Sequence, residues 1–309
     1  MGKNFDADIN PKIRNIKYYP IKSCAGIEVQ EAYVEKSGLV VGNYKDHEFA
    51  LVDAQSADDG AHLFVSQRGR KPKGDKPLTQ MAMITTVPDS DGMKLTYDGH
   101  SIDLPYDRNN GRELTVRVFA DACPGAVDQG DDLAAWFTEI MGFPVRLVKA
   151  SGNFSRMSRQ NYMRSDNPLR FQDGYPVHWF SIESLNELSE KAGVQVEWQR
   201  FRPQVVVEGM PAQYEHKVLM GYLGDVSFKN PKPCERCLIP LIDQKTGEVS
   251  KKEPNYTLAQ FKQWKNMYGQ NTVIFGENML PLREGTIKIG DQIGIVGHRH
   301  PPPSYGQRT

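Results

Sequence analysis

Short runs of alternating apolar and polar residues, broken every few positions by Gly, Asp or Pro, constrain this chain more than any other feature. Ile13 to Ile21 alternates, and Phe49 to Asp53, Leu63 to Ser66, Met93 to Tyr97 and Leu114 to Val118 continue the pattern. Successive side chains of a strand point to opposite faces, so such runs read as half-buried strands and the breakers as their turns. The first third therefore predicts a β-barrel or sandwich.

The period then changes. From Asp131 to Met141 the residues Leu133, Trp136, Phe137, Ile140 and Met141 fall on one helical face, with Asp131 or Asp132 as N-cap and Gly142 just past the end. This helix is expected to open the second half and to pack beside a second barrel. Residues 151–173 are polar and read as a long loop, of the kind that serves as a lid or faces a substrate. A second helix is predicted from Ile182 to Ala192, capped by Ser181 and stopped by Gly193. Strands follow at Val205 to Val207, Val226 to Phe228, Val273 to Phe275 and Thr286 to Val296, and LIPLID also reads as a strand. The expected class is α+β, predominantly β. The tail from His298 holds three consecutive prolines and is expected to be extended or disordered.

At 309 residues the chain can build two cores. Lys and Arg total 38, as do Asp and Glu, so the formal net charge of zero argues against a nucleic acid or an anionic membrane as partner. No apolar run approaches the roughly 18 residues of a spanning helix, and MGKNFDADINPK lacks the apolar core of a signal peptide. A soluble cytoplasmic protein acting on a small molecule is expected. Four cysteines, Cys24, Cys123, Cys234 and Cys237, are too few for a disulfide framework in a chain this long and read as thiols or metal ligands.

Three segments could carry chemistry. In PKPCERCLIP, Cys234 and Cys237 stand in C-x-x-C spacing around Arg236. The pair is compatible with a zinc half-site, a redox couple or two thiols packed as small hydrophobes, and spacing alone does not choose among these. In YYPIKSCAG, Lys22 and Ser23 follow an apolar strand, where an ammonium and a hydroxyl can be delivered to a phosphate or simply face water. In RFRPQVVVEG, Arg202 precedes a proline and a buried strand, and suits either bidentate anion contact or a surface ion pair.

In their order along the chain, YYPIKSCAG, RFRPQVVVEG and PKPCERCLIP resemble the MOSC-domain proteins, within them the two-domain group that includes the mitochondrial amidoxime reducing component and its bacterial relatives. FALVDA, FVSQR, AVDQGDDLAAWF, FQDGYP, GEVSKKEP and GTIKIGD are similar to further signatures of that group, so the likeness runs from about Ile13 to Gly297. The resemblance implies an N-terminal MOSC β-barrel domain over 1–125, a MOSC domain over 126–297 and a tail over 298–309. It also implies a single molybdopterin-bound molybdenum between the domains, with Cys237 as the metal's protein ligand and Cys234 structural. A soft thiolate suits such a metal, and a neighbouring cation favours the thiolate.

By the same resemblance, Lys22, Ser23, Arg202 and Arg236 hold the pterin and its phosphate, and Asp173, Gly174 and Tyr175 form a loop that follows the cofactor. The chain departs from the group at two places. His47, in Asp46-His47-Glu48, stands where relatives often carry a phosphate-binding Arg, and Gln204 stands where Asn is usual. The implied activity is reduction of N-hydroxylated compounds such as amidoximes, hydroxylamines and N-hydroxylated bases. With no further cysteines for an iron–sulfur cluster after His300, electrons are expected from a separate ferredoxin, flavodoxin or cytochrome-type donor. The alternative is a non-catalytic carrier of the molybdenum cofactor or of sulfur.

Overall fold

The structure, a computed structural model, describes residues 9–70, 76–158, 167–266 and 269–299. The predominantly β class is found, and its strands form two principal units. Glu113–Val118, Asp121–Asp128, Val145–Ala150, Phe49–Ser56 and His62–Phe64 close into a barrel. Alternation fills it: Ala50, Val52, Val116, Val118 and Val148 turn inward, and Phe171 enters from a distant part of the chain. Thr85–Pro88, Gly92–Tyr97 and His100–Pro105 add an antiparallel sheet.

The helix Asp131–Met141 forms as expected, but it packs on Val145–Ala150 and His100–Pro105 rather than beside the later strands. Only residues 142–144 separate it from the barrel strand that comes next, so its buried Leu133, Phe137 and Met141 fold back against Leu51 and Leu147. Its N-cap is Gly130, with no side-chain capping bond, because Asp131 and Asp132 are drawn to Arg146 and Arg108. The 125/126 division falls inside the strand Asp121–Asp128.

The second unit is a ten-stranded sheet whose central run is Lys12–Tyr18, Val205–Glu208, Val177–Ser181, Asn271–Arg283, Val226–Lys229, Val218–Leu223 and Ile293–His298. The N-terminal strand thus lies against Val205–Glu208, with Ile16 opposite Val205. Reciprocally, Gly285–Lys288 pairs with Glu31–Glu35. The units are interleaved in sequence.

The helix Ile182–Ala192 carries the expected ends: the Ser181 hydroxyl accepts from the Ser184 amide at 3.2 Å, a cap worth about 1 kcal/mol, and Gly193 is left-handed. LIPLID is not a strand. Pro240 has no N–H to give a ladder, and Ile239–Leu241 turns instead as a short 3₁₀ helix. The run from 286 to 296 is broken at the left-handed Gly290 into Gly285–Lys288 and Ile293–His298. Val273 to Phe275 is the start of a longer strand that kinks at Gly276, where φ is 70° and a Cβ would lie 2.6 Å from His178 Nε2. His298 ends a strand and Arg299 is bonded to Glu277, so the expected tail begins later; residues 300–309 lie outside the described residues. Among the described residues no helix is long and apolar enough to cross a membrane.

Candidate functional site

A cleft of about 430 Å³ opens between the barrel and the large sheet, and every residue expected at a site lines it: Lys22, Ser23, His47, Asp173, Gly174, Tyr175, Arg202, Gln204, Arg236 and Cys237. They come from five separate stretches of chain, each steered by local backbone geometry.

Lys22 and Ser23 follow the Lys12–Tyr18 strand. The Lys22 amide bonds to the Phe49 carbonyl at 2.8 Å, and Ser23 turns left-handed with φ 69°. The buried Lys22 ammonium donates to the Phe171 carbonyl at 2.8 Å and pairs with Asp173. Burial pushes its pKa down, and Asp173 opposes that shift. For Asp173, whose side chain is 66% exposed, desolvation would raise the pKa. The charge and hydrogen bond of Lys22, helped by His47 and Arg156, prevail and hold it at about 2.

His47 also sits at positive φ, 52°, with its amide on the Tyr19 carbonyl at 2.7 Å. Its Nδ1–H donates to Asp46 at 2.7 Å. Asp46 is fully buried and also accepts from the Tyr19 amide at 2.7 Å and from Gln204 Nε2 at 3.2 Å. The other end of the Gln204 amide accepts from the His178 N–H at 2.8 Å. Gln204 therefore lines the cleft with both ends of its amide engaged by protein, and it braces Asp46.

Arg202 is the turn between the 3₁₀ helix Trp198–Phe201 and Pro203; a residue before proline is disfavoured in the right-handed region, and this one is left-handed at φ 52°. That turn brings its guanidinium 4.2 Å over Tyr19, with Nη1 donating to Gln244 at 3.0 Å. Burial lowers its pKa. Arg236 leaves the strand Pro233–Glu235 and donates to the Phe201 carbonyl at 2.9 Å and to Cys234 Sγ at 3.1 Å. Burial raises the Cys234 thiol pKa against the pull of Arg236 and Lys232. Cys237 follows where the chain departs from the sheet, half-buried, its carbonyl accepting from Asn255 Nδ2 at 2.9 Å.

Arg202 Nη2 and Arg236 Nε are buried donors with no partner, and neither arginine has a carboxylate partner among the described residues. An orphaned buried donor costs about 1–3 kcal/mol, so two in one cleft mark a place where an anion fits. Among the described residues no three His, Cys, Asp or Glu side chains gather to hold a metal, and Cys24 and Cys123 are buried and do not line the cleft. A zinc site built by protein ligands alone is thereby set aside. So is a thioredoxin-like pair opening an α-helix, since a strand precedes the motif and a single 3₁₀ turn follows. A soft metal could take Cys237 only if it brought its other ligands with it.

Sequence reasoning missed several lining residues, among them Phe64, Arg68, Phe119, Lys232 and Glu235. Arg68 lies within FVSQR and Lys232 two residues before Cys234, so both had a local signal; Phe119 had none. Of the expected lid or substrate-facing loop, Gln172 and Asp173 line the cleft and Arg156 is a brace. Arg156 is buried and bonds the Gln172 carbonyl, the Asp173 carbonyl at 2.5 Å and Asp121 at 3.2 Å, fixing the loop that presents Asp173. Residues 159–166 lie outside the described residues.

Residues 10–144 match the MOSC N-terminal beta barrel domain and residues 166–294 the MOSC domain. The chain is 28% identical over 290 residues to mitochondrial amidoxime-reducing component 1 of Homo sapiens, covering 90% of this chain and 81% of that protein. It is 27% identical over 293 residues to component 2 of Rattus norvegicus, covering 91% and 82%, and 25% identical over 291 residues to component 1 of Xenopus laevis, covering 91% and 81%. The chain belongs to the MOSC proteins, with an N-terminal MOSC β-barrel domain and a MOSC domain that together wall a cationic cleft.

Proposed function

We propose that this protein is a molybdenum cofactor-dependent reductase of N-hydroxylated compounds, supplied with electrons by a separate ferredoxin, flavodoxin or cytochrome-type protein. The observation that carries the reading is the meeting, in one cleft, of a half-buried Cys237 thiol with two arginines that each have one buried donor without a partner. The relatives' names, which speak of amidoxime reduction, supply the reaction class.

The residues fit the cofactor. Cys237 offers the single soft ligand that a metal already bound by a pterin dithiolene requires. Arg202 and Arg236 offer donors to its anionic groups, and Lys22, Ser23, His47 and the backbone of Gly174 and Tyr175 line the same cleft. When bound, the cofactor supplies two-electron chemistry at molybdenum. The protein's part is then to orient and to exclude. The Arg156 brace and the buried Asp46 carboxylate fix the cleft walls, so that an N–OH group enters a preformed site.

The test is elemental analysis for molybdenum followed by turnover of benzamidoxime with an artificial electron donor. Molybdenum near one equivalent with benzamidine as product is expected. Bound molybdenum without turnover would favour a carrier of the cofactor or of sulfur.

A further inference from the structure

Two carboxylates, Asp173 and Glu235, are among the described residues that line the cleft, amid cations such as Arg202, Lys232 and Arg236. Asp173 is held by Lys22. Glu235 has no such explanation, because a cleft shaped for an anion gains nothing from a second negative charge beside the Cys237 thiol, and like charges brought together repel.

Its place on the chain shows which part of the cleft it serves. Glu235 lies opposite Ile274 on the strand Asn271–Arg283, and the Arg236 amide extends the ladder by donating to the Val273 carbonyl at 2.8 Å. Side chains alternate along such a stretch, so Glu235 and Cys237 leave one face. Cys234 and Arg236 leave the other, where the Arg236 guanidinium donates to the Cys234 sulfur. Alternate residues of a strand lie about 6–7 Å apart, so a small head group bound at the thiol is also within reach of the carboxylate.

The carboxylate is held still but is not used up. Lys232 donates to its Oε1. Asn278 steadies the backbone, with its amide on the Lys232 carbonyl at 3.1 Å and its Nδ2 on the Pro233 carbonyl at 3.1 Å. Oε2 takes no hydrogen bond from the described residues, and the side chain is 30% exposed. An amino group next to an N–OH supplies an N–H donor that a fixed carboxylate oxygen accepts strongly.

We propose that Glu235 is a substrate-binding carboxylate whose Oε2 accepts an N–H from an amino group on the carbon that bears the N–OH function. The inference rests on the function proposed above. It adds a selectivity to that function, for compounds with this amino group over plain oximes, which lack it.

The experiment uses the cofactor-loaded protein as wild type, Glu235→Gln and Glu235→Asp, with benzamidoxime and benzaldoxime, which differ by the amino group alone. Binding is read by calorimetry without an electron donor, so that nothing turns over, and kcat and KM are read with an artificial donor. Glu235→Gln should weaken benzamidoxime binding about tenfold and raise its KM more than it lowers kcat, while benzaldoxime affinity changes by less than about twofold. Glu235→Asp, which keeps the charge, should keep most of the preference. Thermal unfolding and molybdenum content accompany each variant, and the wild type's own preference for benzamidoxime is read without any variant. The proposal falls if wild type shows no preference, if Glu235→Gln keeps it or weakens both oximes alike, or if Asp173→Asn alone removes it. It falls too if Glu235→Gln loses molybdenum, which would make the carboxylate a support for the cofactor. Failure of the reductase reading looks different. Wild type would then turn over neither oxime, while the calorimetric preference still decides Glu235.

Discussion

Lys22 and Asp173, 151 residues apart in sequence, form an ion pair in the wall of the cleft, and the pair ties the turn after the Lys12–Tyr18 strand to the loop that follows Phe171. Its signature is a carboxylate held at about pKa 2, below the usual value of about 3.9. Between those values the unfolded chain binds more protons than the folded one, so the stability from this pair rises with pH across the window. It is lost as pH falls through about 2. In Lys22→Met the Asp173 pKa should move up toward its ordinary range, as read by NMR titration. The gap between wild type and variant in urea midpoint should be full above pH 4 and should narrow toward pH 2.

The two neighbouring thiols should part company on mutation. Cys237→Ser should abolish benzamidoxime turnover with little change in stability, because a hard hydroxyl replaces the soft ligand. Cys234 instead receives the Arg236 guanidinium, so Cys234→Ser should keep much of the activity and cost at most about 1–3 kcal/mol in denaturant unfolding. Equal inactivation of both variants would overturn the assignment of Cys237.

Arg202 sets ligand binding against apo stability. In the empty protein its unpartnered Nη2 is a cost that its Nη1 bond to Gln244 only partly offsets, so Arg202→Met, which keeps much of the packing on Tyr19, should leave the apo protein at least as stable as wild type. The same variant should retain at least tenfold less molybdenum and pterin after dialysis, since one charge-assisted contact is worth about 1.5–3 kcal/mol. Metal analysis beside a urea melt measures both.

Asp46 is where the barrel and the sheet share a buried charge. Asp46→Ala would strand the Tyr19 amide, the His47 ring N–H and the Gln204 amide at once, and should destabilise by about 3 kcal/mol. Asp46→Asn keeps one acceptor and should cost less. The ordering of the two urea midpoints checks this.

Much of the site was legible because its residues belong to short ordered motifs: KS after a strand, FRP before one, C-x-x-C between prolines. The helix ends at Ser181, Gly193 and Gly142 were legible for a different reason, since capping chemistry is local. What could not be read was set by distant partners. Asp131 and Asp132 look like caps until Arg146 and Arg108 claim them, and the place of the Asp131–Met141 helix depends on which strand it folds back upon. Phe119 escaped because a turn without glycine or asparagine gives no turn signal, and only the backbone angle shows it to be one.

The pairing of Lys12–Tyr18 with Val205–Glu208 has a consequence for biosynthesis. Arg14 and Glu208, bonded in the finished sheet, are 194 residues apart. Ile27–Val29 covers one edge of the first strand almost at once, but at about 5–20 residues per second the other edge must wait roughly 10–40 seconds on the ribosome before Val205–Glu208 exists. During that interval Ile13 and Ile16 lack most of their native cover, which makes the nascent amino-terminal segment the natural client of a holding chaperone.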